Sequence, residues 1–506
     1  MGEIEIGGEK IPDQEWEAAP ERVKKALVNL AEQVKQLSER LATAEERLKQ
    51  NSSNSSRPPS SDGFGAVQAK APKQRKPRGG QKRTRQVRKL IAVEQCSQVH
   101  TVKPEDCPEC GERLRGEDVH PHRHQVWELP KIEPFVVEYR LHALRCEACG
   151  TKTRAQLPSG VCALGNGERL SALVGLLSGE YRQSHAQVQR LMQEVFGVAL
   201  SYGGINRLRC EISEAIAPMM EQATAYVREH PLLNSDETSF TQGNRDGQNP
   251  EGRKGWLWVL VTPLVSVFAV VLSRSQQTAK QLIGETFEGI VSSDRYGAYN
   301  WIDVNRRQIC WAHLKRDLIA ISQRSGVSKD IGESLLRRQQ RLFRWWHRVR
   351  DGTLSRETFG QMVEHLRAGF KTELEEASCL PIGDREKTPL AKTVRTCQNI
   401  LRVEAALWTF AYIPDVEPTN NAAERALRPA VIWRRTSFGS QSEAGSQFVS
   451  RMLTVSTSLK AQNRSVLEVL TQACHAARLG QKPPSLLPES EIIPGYPQVL
   501  LLPQTL

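Results

Sequence analysis

At 506 residues and 56.8 kDa the chain is long enough for about three or four domains, and its 39% hydrophobic and 25% charged residues are a globular balance that leaves room for polar, disordered stretches. The formal net charge is +12, yet residues 70–90 (KAPKQRKPRGGQKRTRQVRKL) alone hold ten Lys and Arg and no acid, so the remainder is close to neutral. A block of this kind in a near-neutral chain points to a polyanion partner, nucleic acid or anionic lipid.

The N-terminus MGEIEIGGEK has no apolar core, so no secretory signal is expected, and Ile6 in place of Ser or Thr argues against myristoylation of Gly2. The membrane-like run Trp256–Leu272 is interrupted by Pro263 and rich in Val and aromatics, which fits two buried strands joined at Thr262–Pro263 better than a spanning helix. These features predict a cytoplasmic protein with no membrane partner. Eleven cysteines, four of them in two CxxC pairs, indicate metal binding rather than a disulfide framework.

Within residues 20–50, Val23, Leu27, Leu30, Val34, Leu37, Leu41, Ala44 and Leu48 alternate in steps of four and three, an a/d seam that predicts a coiled coil and self-association. Residues 51–92 start as NSSNSSRPPSSDG, too polar to bury a core, and continue into the basic block. This reads as a disordered cationic linker whose Lys73, Arg75, Lys76, Arg78, Lys82, Arg83 and Arg85 suit phosphate contacts without sequence readout.

Residues 93–158 carry Cys107-Pro-Glu-Cys110-Gly and Cys146-Glu-Ala-Cys149-Gly. Four thiolates on two Gly-closed knuckles are the donor set of one tetrahedral structural Zn2+, so a zinc ribbon is predicted, with a strand over Val137–Ala143 entering the second knuckle. His120, His122 and His124 lie in the intervening loop. Residues 164–230 read as helices broken by a Gly-rich turn at Tyr202-Gly203-Gly204; helix-turn-helix DNA binding and plain helical packing fit them equally.

From residue 231 to about 480 the pattern is a strand ending in Asp236, a hairpin, a helix (QQTAKQLIGETF) and a short strand ending in Asp294. Strands that deliver acids to one edge suit a ribonuclease-H-like α/β domain, where converging carboxylates bind hard divalent cations through oxygen. A third acid is needed to hold two ions about 3.5–4 Å apart, and Glu424 in TNNAAER is the candidate; taken alone, Asn421 and Glu424 read as a capping box. The long interval before Glu424 is charged and helical, which predicts a helical insertion at about 318–415. Trp345 and Trp346 in it suit either a core or stacking on DNA, and Cys310-Trp-Ala-His313 sets two ligand types one helical turn apart. Residues 481–506 form a Pro-rich tail.

NSSNSSRPPSSD, the CxxCG pair, LLSGEYRQSHAQVQRLMQEVFGV, NSDET, WLWVLVTP, SSDRYGAY, CWAHLKRDL and TNNAAERALRP together resemble the large DDE transposase of the insertion-sequence IS sixty-six family, in order from about residue 23 to about residue 470. The resemblance implies a DNA transposase in which Asp236, Asp294 and Glu424 hold two Mg2+ ions, or Mn2+, for cleavage at element ends and strand transfer into target DNA. It also implies an N-terminal leucine zipper, a zinc module on Cys107, Cys110, Cys146 and Cys149, accessory proteins of the same element, and a nucleoid-associated location. Lys315, Arg316, Arg425, Arg434 and Arg435 are candidate phosphate contacts around the acids. Two rival classes stay open: a catalytically inactive, transposase-derived zinc and coiled-coil DNA-binding protein, and a ribonuclease-H-type nuclease without joining activity.

Overall fold

The computed structural model describes residues 3–6, 9–50, 54, 89–163 and 165–488. The predicted linker contacts Lys73, Arg75, Lys76, Arg78, Lys82, Arg83 and Arg85, and the tail beyond residue 488, lie outside the described residues. Near the N-terminus a short antiparallel hairpin pairs Glu3–Ile6 with Glu9–Pro12, and helix α1 (Glu21–Lys49) follows. Its predicted seam faces solvent in the single chain: Leu30 is 58% exposed, Leu37 60% and Leu41 62%.

Residues 89–163 contain no buried side chain. The strand expected over Val137–Ala143 begins pairing only at its last residue, where Ala143–Arg145 pairs antiparallel with Lys152–Arg154 around the second knuckle. Upstream of Ala143 the alternation has no partner strand among the described residues. Helices follow: α2 (Glu168–Gly179), α3 (His185–Phe196), α4 (Tyr202–Ala215) and α5 (Ala217–Glu229). Ser184 and Gln187 form a capping box at the start of α3, and Gly197 ends that helix in the left-handed conformation. Tyr202-Gly203-Gly204 is not a connecting turn but the first turn of α4, because the Ser201 hydroxyl accepts from the Gly204 amide and starts the helix there. Val174, Leu177, Val188, Met192, Ile205 and Leu208 close a small core among these helices.

A five-stranded sheet organises the next region: β1 (Leu232–Ser239), β2 (Trp256–Val261), β3 (Ser266–Val271), β4 (Ile290–Ser293) and β5 (Arg307–Ile309). The spatial order is β3-β2-β1-β4-β5, with β2 antiparallel to both of its neighbours, β1 and β3, and β4 and β5 parallel to β1 and to each other. Pro263 sits in the turn of the β2–β3 hairpin, where its fixed φ fits the second turn position and the Thr262 amide closes on the Val265 carbonyl at 2.9 Å. Helix α6 (Gln276–Ile283) makes the crossover from β3 to β4.

Further helices pack around this sheet and beyond its β5 edge: α7 (Trp311–Ser322), α8 (Val327–Arg350), α9 (Arg356–Ser378), α10 (Pro389–Leu401), α11 (Asn421–Ser437), α12 (Glu443–Ala461) and α13 (Val466–Arg478). Helices α7 to α10 enclose a second core that starts at Ile309 and extends to Val416. Trp346 belongs to it, edge-on to Phe410 and packed on Phe359, and Trp345 is half-buried against the same core. This pair is core, not a DNA-stacking face.

Strand β3 is an edge with outward amides, and α12 covers it. The side-chain oxygens of Ser450, Thr454 and Ser458, one helical turn apart, accept the amides of Val270 (3.0 Å), Phe268 (2.9 Å) and Ser266 (3.0 Å). The helical repeat of four residues rises about 6 Å and so matches two strand residues at about 6.8 Å. The match pairs three ladder donors that would otherwise be buried without acceptors. Replacing Thr454 by the isosteric Val removes only the acceptor for Phe268. A loss of about 1–3 kcal/mol is expected in urea unfolding, with Thr454→Ser retaining most of the stability.

Candidate active site

Strand β1 alternates buried Leu233, Ser235 and Glu237 with half-buried Asn234, Asp236 and Thr238. Asn234 stands opposite Ser292 in the parallel β1–β4 pairing, and the same register carried two residues further puts Asp236 beside Asp294, just past the end of β4. An Asp294 carboxylate oxygen accepts the Tyr296 amide at 2.9 Å, and the buried Arg307 donates to the Asp294 carbonyl at 2.9 Å and to the Ser293 hydroxyl at 3.4 Å. Burial pulls the Arg307 guanidinium down to about 10, which still leaves it charged at neutral pH.

Glu424 arrives from the first turn of α11. The N-cap is Asn420 rather than Asn421, and its side chain makes no cap bond. Its amide group instead donates to the Ser235 carbonyl at 2.7 Å, which pins the start of α11 to the residue before Asp236. The capping-box reading of Asn421 and Glu424 is thus corrected: the cap side chain is spent on the sheet, and Glu424 keeps its carboxylate for other partners. Ala423, Leu427, Ala430 and Trp433 bury the inner face of α11 in the sheet core.

Burial, followed by the negative charges of Glu237, Asp294 and Glu424, raises Asp236 well above the ordinary carboxylate range. Burial and the charge of Asp294 also raise Glu237, against the opposing pull of the Tyr299 hydroxyl and Arg274. Tyr299 donates to Glu237 at 2.5 Å, and Arg274 donates at 2.8 and 2.6 Å while lying over the rings of Tyr296 and Trp256. Glu237, Arg274, Tyr299 and Asn420 are site residues that sequence reasoning missed. An acid adjoining Asp236 on an alternating strand was the visible signal for Glu237.

Asp294 and Glu424 both stand close enough for their charges to act on Asp236. The oxygens of these three acids are not all within 4.8 Å of one another; among the described residues the group of three that meets this distance is Cys310, His313 and Glu424. Cys310 directly follows β5, with its amide on the Ser293 carbonyl at 2.9 Å, and its sulfur accepts the Asn420 backbone amide at 3.2 Å. Burial pushes the Cys310 thiol up to about 11. His313 Nδ1 is 3.6 Å from Glu424 Oε1.

Elsewhere, the two CxxC knuckles are alike. The Cys107 amide donates to Glu112 and the Gly111 amide to Cys107, both at 2.9 Å, while the Cys146 amide donates to Thr151 at 2.9 Å and the Gly150 amide to Cys146 at 2.8 Å. Gly111 and Gly150 hold φ of +74° and +69°, which a residue with a Cβ adopts only with strain. Hydrogen bonds lower the thiols of Cys107, mainly from the Cys110 amide, and of Cys149, mainly from the Thr151 hydroxyl. Among the described residues no three of the four sulfurs lie within 4.8 Å of one another, so the structure draws the knuckles as two separate turns. Of the candidate DNA contacts, Lys315, Arg425 and Arg435 are exposed and Arg316 is half-buried. Arg434 is committed to β1, donating to Thr238 at 2.7 Å and to the Ser239 hydroxyl at 2.9 Å.

Because the folded-state pKa of Asp236 lies above the value of about 3.9 of an unfolded chain, folding takes up protons in between. Its contribution is fully favourable below about pH 3.9 and is lost as pH rises through the raised value. In metal-free protein Asp236→Asn is therefore expected to raise the melting temperature at pH 7, by about 2–4 °C for each kcal/mol of repulsion relieved, with the gap closing near pH 4. Calorimetric scans across that range check it.

Comparison with known proteins adds an independent line. The uncharacterized protein y4qI of Sinorhizobium fredii (strain NBRC 101917 / NGR234) is 26% identical over 268 residues, 49% of this chain and 48% of that protein. The chain thus spans about half the length of this curated relative. Residues 8–89 match the model of a family of unknown function (DUF6444). Residues 173–448, which include Asp236, Asp294, Cys310, His313 and Glu424, match the model described as Transposase IS66 family. That match takes in more than half of the sequence, and the chain belongs to the transposase IS66 family.

Proposed function

We propose that the chain is a DDE transposase that cleaves DNA at the ends of an insertion element and joins those ends to target DNA. The observation that carries this reading is the juxtaposition of the acids: the β1–β4 register sets Asp236 beside Asp294, Asn420 ties the start of α11 to the residue before Asp236, and the charges of Asp294 and Glu424 both reach Asp236. The strand order, three antiparallel strands continued by two parallel ones, supports a ribonuclease-H-like catalytic domain.

The residues fit hard divalent cations. Their donors are carboxylate oxygens, Glu424 Oε1 is buried with no hydrogen-bond partner, and neither Asp236 nor Asp294 has a salt-bridge cation among the described residues. Asp236, Asp294 and Glu424 would hold two Mg2+ ions, or Mn2+, which when bound would supply Lewis-acid activation of the attacking hydroxyl and charge stabilisation at the leaving 3′ oxygen. The chain's own part is placement: β1 and β4 fix the two aspartates side by side, and Asn420 holds the start of α11 against β1. Arg274 and Tyr299 hold Glu237 beneath them, so that carboxylate stays in place as a fixed charge. In the first reaction water displaces the 3′ oxygen at the element end; in the second the freed 3′ hydroxyl displaces a 3′ oxygen of the target, so no covalent protein intermediate is needed.

Double-stranded DNA is the partner, with exposed Lys315 on α7, Arg425 and Arg435 on α11, and the basic block as phosphate contacts. Cys107, Cys110, Cys146 and Cys149 would take one structural Zn2+. Their matching knuckle geometry supports this, and ion binding would supply stability to a segment that has no buried side chain of its own. The solvent-facing seam of α1 supports pairing with a second copy, which would bring two DNA ends together. The family resemblance adds accessory proteins of the same element. No helix among the described residues is long and apolar enough to cross a membrane.

Asp236→Ala, Asp294→Asn and Glu424→Gln are each expected to reduce Mg2+-dependent nicking of element-end DNA to the metal-free background while DNA binding persists in a gel-shift assay. Wild-type activity in any of the three removes that residue from the site. Supplying precut ends tests the joining step: products of cleavage without joining would mark a nuclease instead. For the zipper, Leu30→Glu with Leu37→Glu should convert the oligomer to monomer in sedimentation equilibrium and leave the circular dichroism of the remaining chain unchanged.

A further inference from the structure

Cys310, His313 and Glu424 come from three places, the residue directly after β5 and the first turns of α7 and α11, yet one ligating atom of each lies within 4.8 Å of the other two. Read as ordinary packing, these would be a core cysteine and a histidine–glutamate ion pair. Two observations fit that poorly. His313 Nδ1 and Glu424 Oε1 are 3.6 Å apart, and both atoms are buried without a hydrogen-bond partner. Native interiors seldom leave two such atoms unpaired side by side.

The support around the trio is already built. The Asn420 backbone amide points at the Cys310 sulfur from 3.2 Å, the kind of N–H donor that steadies a metal-bound thiolate. The Cys310 amide is held by the Ser293 carbonyl, and the Trp311 amide by the Pro418 carbonyl at 2.9 Å, so β5, α7 and the approach to α11 are tied together without help from any ion. The His313 and Glu424 side chains are 22% and 35% exposed, which leaves an entry path from solvent.

We propose that Cys310, His313 and Glu424 bind one borderline-soft divalent transition ion, Zn2+ or Co2+. A sulfur, a ring nitrogen and a carboxylate oxygen are the donors such an ion selects, and Mg2+ does not compete for the thiolate. Three protein ligands leave a fourth tetrahedral position for water. As the sulfur–metal bond forms, the Cys310 proton passes to solvent, so thiolate and carboxylate together balance the 2+ charge. One consequence rests on the proposed transposase reading: because Glu424 is shared, occupancy by Zn2+ withdraws it from the aspartates and opposes Mg2+-dependent cleavage.

Co2+ titration of the full chain, followed optically in excess Mg2+, tests the site. Wild type should take up one equivalent more than Cys310→Ser, with a thiolate-to-cobalt band in the near ultraviolet that the variant lacks; the knuckle cysteines are present in both proteins and cancel in the difference. His313→Asn should weaken that equivalent at least tenfold, and Asp236→Ala should leave it intact. Equal uptake and spectra for wild type, Cys310→Ser and His313→Asn would overturn the proposal. If Cys310→Ser does not fold by circular dichroism, unchanged cobalt affinity in His313→Asn alone overturns it. Failure of the transposase reading would appear separately, as normal cleavage by Asp236→Ala.

Discussion

The hydrogen bond from the Asn420 side chain to the Ser235 carbonyl spans 185 residues of sequence and decides where Glu424 stands. Without it, the N-terminal end of α11 would be held to β1 only by apolar packing, the other polar tie to that strand being Arg434 near the far end of the helix. Two further bonds act at the same junction: Trp311 to the Pro418 carbonyl, and Asn420 to the Cys310 sulfur. Between the two sides of this junction runs the helical unit of α7 to α10. The entropy of closing so long a loop rises only with the logarithm of its length, so a large insertion is tolerable provided its ends are pinned. They are pinned at the carboxylates.

The cations near the site are distributed unevenly. Arg274 goes to Glu237, and Arg307 goes to Ser293, Asn300 and the carbonyl of Asp294. Asp236 receives the repulsion of three neighbouring acids and, among the described residues, no salt bridge. The half-buried Arg274 and the buried Arg307 are the guanidinium groups at hand, and neither makes a salt bridge to Asp236 or Asp294. That allocation leaves the open edge of the sheet as a place where added positive charge is favourable, which is the electrostatic requirement of a cation-dependent site.

How much of this was legible depends on whether the cause was local. The β2–β3 hairpin could be read because Val-rich strands and Pro263 at the turn are local chemistry. The order of strand, acid, hairpin, helix, strand and acid could be read for the same reason. Asn420 could not: beside Asn421 and Glu424 it looks like the edge of a helix cap, and only the tertiary fold supplies the Ser235 carbonyl that claims its side chain. Ser450, Thr454 and Ser458 look like a polar helical stripe bound for water, and they cap a sheet edge instead. Conversely, the alternation of Val137 to Ala143 is a sound strand pattern that, among the described residues, meets a partner strand only at Ala143. Gly203 and Gly204 look like a turn until Ser201 caps the helix that contains them.

Helix α7 joins these threads. Its inner face places Trp311 at the centre of the insertion core, 5.6 Å from the Phe370 ring and 5.2 Å from Trp408, with the indole N–H on the Leu407 carbonyl at 2.7 Å. Cys310 immediately before it and His313 one turn along stand against Glu424. Interiors packed at this density do not deform continuously, so a shift of the insertion carries Trp311 with it and moves both ligand types relative to Glu424. The insertion is therefore mechanically coupled to Glu424 through α7 and the chain entering it.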